Sequence, residues 1–148
     1  MPRFLKFLVD ETMDNNKNFS SEEEMPLLGL SILIVNEDVG NREKASQLLE
    51  ELGALVDRAD QAVEAIEAIR QKQYHAVMID EEVACADSEE LTEVVKLRSK
   101  NPNTAVIISG SLMITRNEAI NAGADGYVEK PFDEYDLLNS LISSQKQH

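Results

Sequence analysis

Leu30-Ser-Ile-Leu-Ile-Val35 decides the fold, because it is an almost continuously apolar run of strand length. Such a run is typical of a strand buried on both faces, as in a parallel sheet, whereas a half-exposed strand alternates apolar and polar residues. The segment that follows carries apolar residues on one helical face and reaches Gly53, a common helix stop; they are Ala45, Leu48, Leu49 and Leu52. The run therefore predicts the first strand–helix unit of a parallel sheet.

The same alternation of strand and helix continues along the chain. Further strands are predicted at Ala54–Ala59, His75–Ile79, Ala105–Ser109 and Gly126–Glu129. The intervening segments show helical spacing, on Ala62, Ala65, Ile66 and Ile69, on Leu91, Val94 and Val95, from Thr115 to Ala122 before Gly123, and on Leu137, Leu138, Leu141 and Ile142. Five strands alternating with five helices predict an α/β protein with a doubly wound parallel sheet covered on both faces.

The first 29 residues differ from the rest of the chain in pattern. Residues 10–26 are polar and acidic without any period, which is typical of a flexible segment. We therefore predict an extension or linker over residues 1–29 and one domain over residues 30–146. Phe4, Phe7 and Leu8 have the spacing of a short amphipathic turn, which fits a docking peptide or, the interpretation we favour, a frayed terminus.

Composition excludes several classes of protein. The 148 residues carry a formal net charge of −14, and that charge repels nucleic-acid phosphates, so we expect no direct nucleic-acid contact. The single cysteine, Cys85, cannot form an internal disulfide, which favours a reducing compartment. No apolar run approaches the roughly 18–20 residues of a membrane span. We therefore expect a cytoplasmic protein without a membrane span.

Polar side chains follow four of the five predicted strands. The first strand is followed by Asn36-Glu-Asp38, and the third, fourth and fifth lead to Asp80, Ser109 and Lys130. Because the carboxyl ends of parallel strands meet at one edge of a sheet, we expect these side chains to lie together. Each has a simpler role when taken alone, such as a helix cap for Asp38. Together, a carboxylate and a fixed cation favour phosphoryl transfer onto the carboxylate.

Four stretches resemble response-regulator receiver domains, the phosphoacceptor half of two-component signalling. They are Ile32-Leu-Ile-Val-Asn-Glu-Asp38, Ala76-Val-Met-Ile-Asp80, Val106-Ile-Ile-Ser-Gly110 and Ala122-Gly-Ala-Asp-Gly-Tyr-Val-Glu-Lys-Pro-Phe132. The resemblance runs from about Leu30 to Ser144 and implies a flavodoxin-like sheet of strand order 2-1-3-4-5. It also implies a histidine kinase or His-phosphotransfer protein as phosphoryl donor and a protein target downstream, and it allows a homodimer.

The resemblance implies a role for each site residue. Asp80 would be the phosphoacceptor that becomes an aspartyl phosphate, Lys130 would contact a phosphoryl oxygen, and Ser109 would donate a hydrogen bond to the phosphoryl group. Pro131 would hold its peptide bond in the cis form and aim Lys130 inward. Tyr127 would be the aromatic switch that fills the space left when Ser109 moves, although a half-buried strand aromatic explains this residue equally well.

The metal site departs from the pattern of the family, which has two acidic residues after the first strand to hold Mg²⁺. Arg42 matches the family downstream of this strand, and aligning the chain there places Asn36 and Glu37 at those two positions. Glu37 would be a direct ligand with Asp80 and the backbone carbonyl of Glu82, and Asn36 would act through a water. Losing one unit charge at about 4 Å is worth roughly 1–4 kcal/mol, so we expect a weakened Mg²⁺ site. The Glu82 side chain could instead replace the missing carboxylate.

The segment Glu81–Ser88 departs as well, because it lacks the Pro and Gly of the usual turn, which must therefore be made differently. The acids that begin it, Glu81 and Glu82, add negative charge beside a group that would receive more. Two hypotheses remain. The intact trio of Asp80, Ser109 and Lys130 favours a working receiver, whereas the departures favour a pseudo-receiver that binds proteins without phosphorylation.

An enzyme of another class is not expected. The chain has neither a phosphate-binding Gly-x-x-x-x-Gly-Lys loop nor a dinucleotide Gly-x-Gly-x-x-Gly fingerprint. The segment Asn36-Glu-Asp38 does not fit the Asp-x-Asp arrangement of phosphatases with an aspartate nucleophile. His75 is predicted at the wrong edge of the sheet, and His148 is terminal, so neither offers a general base.

Overall fold

Strands and helices alternate through a computed structural model that describes residues 25–85, 103–111 and 113–146. The elements are β1 (Ser31–Val35), α1 (Val39–Glu51), β2 (Leu55–Ala59), α2 (Ala62–Gln71), β3 (Ala76–Asp80), α3 (residues 81–85), β4 (Ala105–Gly110), α4 (Arg116–Asn121), β5 (Gly126–Glu129) and α5 (Glu134–Lys146). The predicted strand bounds agree with these to within one residue. The helix predicted around Leu91, Val94 and Val95 lies outside the described residues.

The five strands form one parallel sheet in the order β2-β1-β3-β4-β5, which confirms the predicted fold class. The register sets Asp80 directly opposite Ser109 and Gly110 opposite Glu129. At the other side of β3, Ile79 lies opposite Val35. The residues that follow β1, β3, β4 and β5 therefore share one edge of the sheet, beside the point where the strand order reverses.

Each face of the sheet carries its own apolar core. In β1, Ile32 and Ile34 pack on the face covered by α1 and α5, while Leu33 and Val35 pack on the face covered by α2, α3 and α4. This follows from the two-residue period of a strand, which sends successive side chains to opposite faces. Because both faces are covered, β1 must be apolar almost throughout, as its sequence is.

The packed domain begins upstream of the predicted boundary at Leu30. Leu27 is fully buried in the core beneath α1 and α5, and its N–H donates to the carbonyl of Leu52 at 2.9 Å. Residues 25–29 were predicted as the end of the extension, but through Leu27 they pack against the folded domain. Residues 1–24 lie outside the described part of the chain.

Capping residues fix where the helices begin and end. Asp38 caps α1, because its Oδ1 accepts the N–H of Asn41 at 2.8 Å. Thr115 and Glu118 form a reciprocal capping box at the start of α4. Gly53 and Gly123, the predicted stops, have φ values of +101° and +111°, which a glycine adopts without strain.

Among the described residues, the helices are all too short or too polar to cross a bilayer.

Candidate functional site

Asp80 is the centre of the site at the carboxyl edge of the sheet. As the last residue of β3 it is only 3% exposed. Its Oδ1 lies 2.7 Å from the Lys130 ammonium and accepts the Ser109 hydroxyl at 3.3 Å, and its Oδ2 accepts the N–H of Glu82 at 3.2 Å. The structure thus brings together the predicted trio of Asp80, Ser109 and Lys130. The buried carboxylate therefore accepts hydrogen bonds on both oxygens and contacts a cation.

Lys130 owes its position to the end of β5. Its backbone N–H donates to the carbonyl of Gly110 at 2.9 Å, and the Lys130–Pro131 peptide bond is cis, the isomer that the resemblance implies. The side chain is 24% exposed, so its ammonium faces both Asp80 and solvent. A cation in this place can stabilise negative charge that develops on a group attached to Asp80.

The turn after β1 is held by its own polar groups. Asn36 is 7% exposed, and its Oδ1 accepts the N–H of Asp38 at 2.9 Å. The Arg42 guanidinium donates to the carbonyl of Asn36 at 2.9 Å and pairs with Asp60 at 2.7 Å. The Asn36 side-chain oxygen is therefore already used by the turn, while Glu37 is exposed to solvent.

The oxygen donors near Asp80 suit Mg²⁺ in kind, with less charge than the ion prefers. Carboxylates of Asp80 and Glu37, together with the Glu82 carbonyl, are hard oxygen ligands of the type that Mg²⁺ takes. Within the described ranges, acidic, His and Cys side chains nowhere gather in threes close enough to hold a metal ion. Asn36, which the resemblance places at a position that is acidic in the family, brings an amide oxygen without charge. The Glu82 side chain is exposed.

A cavity of about 380 Å³ adjoins the site between the ends of β1 and β4, α1 and the start of the β5–α5 connection. Its lining combines polar residues, including Asn41, Lys44 and Ser111, with apolar ones such as Met78 and Phe132. Neither Asn41 nor Lys44 was predicted to be a site residue. Their position in the sequence could have indicated it, because both residues fall in the first turns of the helix after β1 and so lie near the same sheet edge.

Glu81 is the main element of the site that the sequence analysis missed. It was treated as a loop charge, but residues 81–85 are helical directly after β3 and Glu81 is 3% exposed. Its Oε1 accepts the N–H groups of Ser111 at 3.0 Å, Met113 at 3.0 Å and Ile114 at 3.3 Å, and its Oε2 accepts the Ser111 hydroxyl at 3.2 Å. The segment predicted as a loop therefore begins as a helix, and its remaining residues, 86–88, lie outside the described part of the chain. Buried Val83 and Ala84 pack α3 against the sheet instead.

Tyr127 on β5 is buried rather than half-exposed, at 7% exposure. Its hydroxyl donates to the carbonyl of Ile114 at 3.0 Å, and the Arg116 guanidinium lies 5.5 Å from the ring centroid. Burial raises the pKa of Tyr127, and the charges of Glu81 and Glu129 raise it further against the opposing effect of Arg116 and Lys130. The phenol is thus kept protonated and available as a donor.

We expect the Tyr127 phenol to stay protonated above pH 10, because its pKa is raised from the ordinary value of 10.0 by burial and neighbouring acids. A pKa raised by folding gives stability that is fully present below the unfolded value and is lost as pH rises through the folded value. An NMR titration of ¹³C-labelled tyrosine, assigned with Tyr127→Phe, measures it. A Tyr127 midpoint at or below 10 would contradict the expectation.

Comparison with known proteins gives consistent similarities. Residues 32–142 match the family model of the response regulator receiver domain. The chain is similar to the chemotaxis protein CheY of Halobacterium salinarum, with 27% identity over 110 residues that cover 74% of this chain and 92% of that protein. It is also similar to probable histidine kinase 6 of Oryza sativa subsp. japonica, with 26% identity over 171 aligned positions that cover 99% of this chain and 18% of the kinase. The chain spans less than a fifth of that second relative.

A solved structure agrees in fold. The receiver domain of a sensor histidine kinase from Pseudomonas aeruginosa, crystallised with a magnesium ion in its active-site cleft, superposes with a TM-score of 0.66. The match covers 76% of this chain and 94% of that domain at 23% identity. At this identity the likeness concerns the fold alone.

Proposed function

The chain belongs to the response regulator receiver domain family of two-component signalling, and from that premise we propose that Asp80 accepts a phosphoryl group from a histidine kinase or His-phosphotransfer protein. The observation that carries the proposal is the Lys130 ammonium, 2.7 Å from the Asp80 carboxylate oxygen that also accepts the Ser109 hydroxyl. In this geometry a cation and a hydroxyl donor both contact the carboxylate that would act as the nucleophile.

The proposed transfer moves the phosphoryl group from a histidine nitrogen to an oxygen of Asp80. A carboxylate oxygen of Asp80 attacks the phosphorus of a phosphohistidine, so a P–O bond forms and the P–N bond breaks. The imidazole nitrogen leaves with its electron pair and takes up a proton. Phosphorylation adds roughly one unit of negative charge at Asp80, which Lys130 offsets and to which Ser109 donates. Positioning and charge stabilisation of this kind account for most of the catalysis in phosphoryl transfer.

The proposed transfer includes a magnesium ion bound beside Asp80. Asp80, Glu37 and the backbone carbonyl of Glu82 would supply its protein oxygens, and Asn36 would contact a bound water. When bound, Mg²⁺ supplies positive charge that offsets the negative charge of the phosphoryl oxygens.

The proposed output is a change in protein contacts. Ser109 is the second-last residue of β4, and the Tyr127 hydroxyl on β5 donates to the carbonyl of Ile114, which lies just before α4. Movement of Ser109 toward a phosphoryl group would therefore change the surface formed by α4, β5 and α5. A protein partner that reads this face is the target we propose.

Intact mass after incubation with acetyl phosphate and Mg²⁺ tests the proposal. We expect one phosphate adduct that is absent in Asp80→Asn and in a metal-chelated sample. Asp136→Asn, which changes an exposed carboxylate on α5, should keep the adduct. Circular dichroism of each variant shows that it is folded. If neither acetyl phosphate nor a phosphorylated His-phosphotransfer protein labels the folded chain, the phosphoacceptor proposal fails and a pseudo-receiver takes its place.

A further inference from the structure

We propose that Glu81 is a positioning residue that holds the β4–α4 loop and Tyr127 in place in the unphosphorylated protein. The β4–α4 loop is the segment between Gly110 and Arg116, of which Ser111, Met113, Ile114 and Thr115 are described. In this protein a built-in carboxylate, rather than a phosphoryl group on Asp80, would then set the arrangement of the loop.

The hydrogen bonds of Glu81 are concentrated on this loop. Three backbone N–H groups, from Ser111, Met113 and Ile114, converge on the single oxygen Oε1. The Ser111 hydroxyl donates to the second oxygen. Charged acceptors form stronger hydrogen bonds than neutral ones, and burial keeps water from competing for them. One side chain thus fixes three residues of a loop that lies 30 or more positions away in the sequence.

Gly110 gives independent support for a close approach. A Cβ at this position would lie 2.7 Å from Glu81 Oε1 and 2.9 Å from the Tyr127 hydroxyl. Real side chains do not tolerate contacts this short, so any other residue would force Glu81 or Tyr127 to move. The end of β4 is therefore shaped around these two side chains.

The loop passes the constraint on to Tyr127. Ile114 donates its N–H to Glu81 and accepts the Tyr127 hydroxyl on its carbonyl. At the other end, Ser111 follows Ser109 by two residues, and Ser109 already donates to Asp80. Glu81 is therefore connected through one loop to both residues that the proposed function uses as its switch.

The consequence for signalling rests on the proposed function. Because its hydrogen bonds to Glu81 resist movement, the loop shifts less with Tyr127 when Asp80 is phosphorylated than it would without Glu81. Without Glu81, the loop would be free to respond, and phosphorylation would produce the larger change.

Amide hydrogen exchange measured by NMR on the unphosphorylated protein tests the inference. We expect Glu81→Ala to speed exchange at Ser111, Met113 and Ile114 by about tenfold or more, because it removes the acceptor. Glu81→Gln keeps one acceptor oxygen without the charge and should speed exchange by about threefold to fivefold. Glu82→Ala, which removes the adjacent exposed carboxylate, is the matched control and should leave these amides unchanged.

Unchanged exchange in a folded Glu81→Ala protein would overturn the inference. If that variant does not fold, Glu81→Gln against Glu82→Gln decides, since it preserves side-chain volume. Adding acetyl phosphate and Mg²⁺ provides a second measurement, in which the Tyr127 ring signals should shift more in Glu81→Gln than in the parent chain, and an equal shift would contradict the inference. If neither acetyl phosphate nor a phosphorylated His-phosphotransfer protein labels the two proteins, the proposed function fails while the exchange rates still decide the role of Glu81.

Discussion

Asn36→Asp is expected to raise the affinity for Mg²⁺ by about tenfold or more. Position 36 directly follows β1, whose neighbour β3 ends at Asp80. A third negative charge about 4 Å from the ion is worth roughly 1–4 kcal/mol at effective dielectric constants of 80 to 20, and about 1.4 kcal/mol corresponds to a factor of ten. The new side chain keeps an oxygen that can accept the N–H of Asp38, so the turn is preserved.

Isothermal titration calorimetry with MgCl₂ measures this gain. Asn139→Asp adds the same charge at an exposed position on α5 and controls for net charge. The same affinity gain in both variants would contradict a local effect at the site. Without Mg²⁺ we expect Asn36→Asp to be less stable than the parent chain, because a carboxylate at this buried position adds a like charge near Asp80.

Lys130→Met is expected to lower the free energy of unfolding by about 1–3 kcal/mol and to slow phosphoryl uptake about a hundredfold or more. The stability loss arises because Asp80, 3% exposed, keeps its buried charge but loses the cation at 2.7 Å. Breaking a fully buried pair costs more than this, but the Lys130 side chain is 24% exposed and water screens part of the interaction. The kinetic loss follows from the missing charge at the phosphoryl oxygens.

A double-mutant cycle with Asp80→Asn separates the ion pair from other effects of the substitution. We expect the double variant to recover most of the stability, because the buried charge is gone as well. Urea unfolding of all four proteins gives the coupling free energy. Lys72→Met breaks the Lys72–Asp57 pair, whose side chains are 44% and 45% exposed, and should cost only about 0–1 kcal/mol. Equal losses in the two lysine variants would refute the assignment.

The parts of the fold that could be predicted depend on local pattern. Strands such as β1 and β3 are short apolar runs whose polar termini mark the sheet edge, so the positions of Asp80 and Lys130 followed from counting strands. Leu27 was missed because the apolar stretch Met25-Pro-Leu-Leu28, beside an acidic segment, is too short to show a period. Its burial depends on contact with the end of α1, which the sequence does not reveal.

The role of Glu81 could not be predicted because it depends on distant partners. An acid directly after a buried strand is ordinarily solvated, but here the loop 30 to 33 residues later offers four donors that favour its burial. For Asn36 the sequence revealed the lost charge. The structure adds that its side-chain oxygen already accepts the N–H of Asp38, a local bond that asparagine commonly makes to the backbone two residues on.

Because Gly110 has no side chain, the residues allowed at positions 81, 110 and 127 depend on one another. A methyl group there would collide with both Glu81 and Tyr127, so drift at any one position alters which residues the other two accept. Among related sequences, a larger residue at position 110 should accompany a smaller one at 81 or 127. The three positions should therefore covary, although Glu81 lies 29 residues before Gly110.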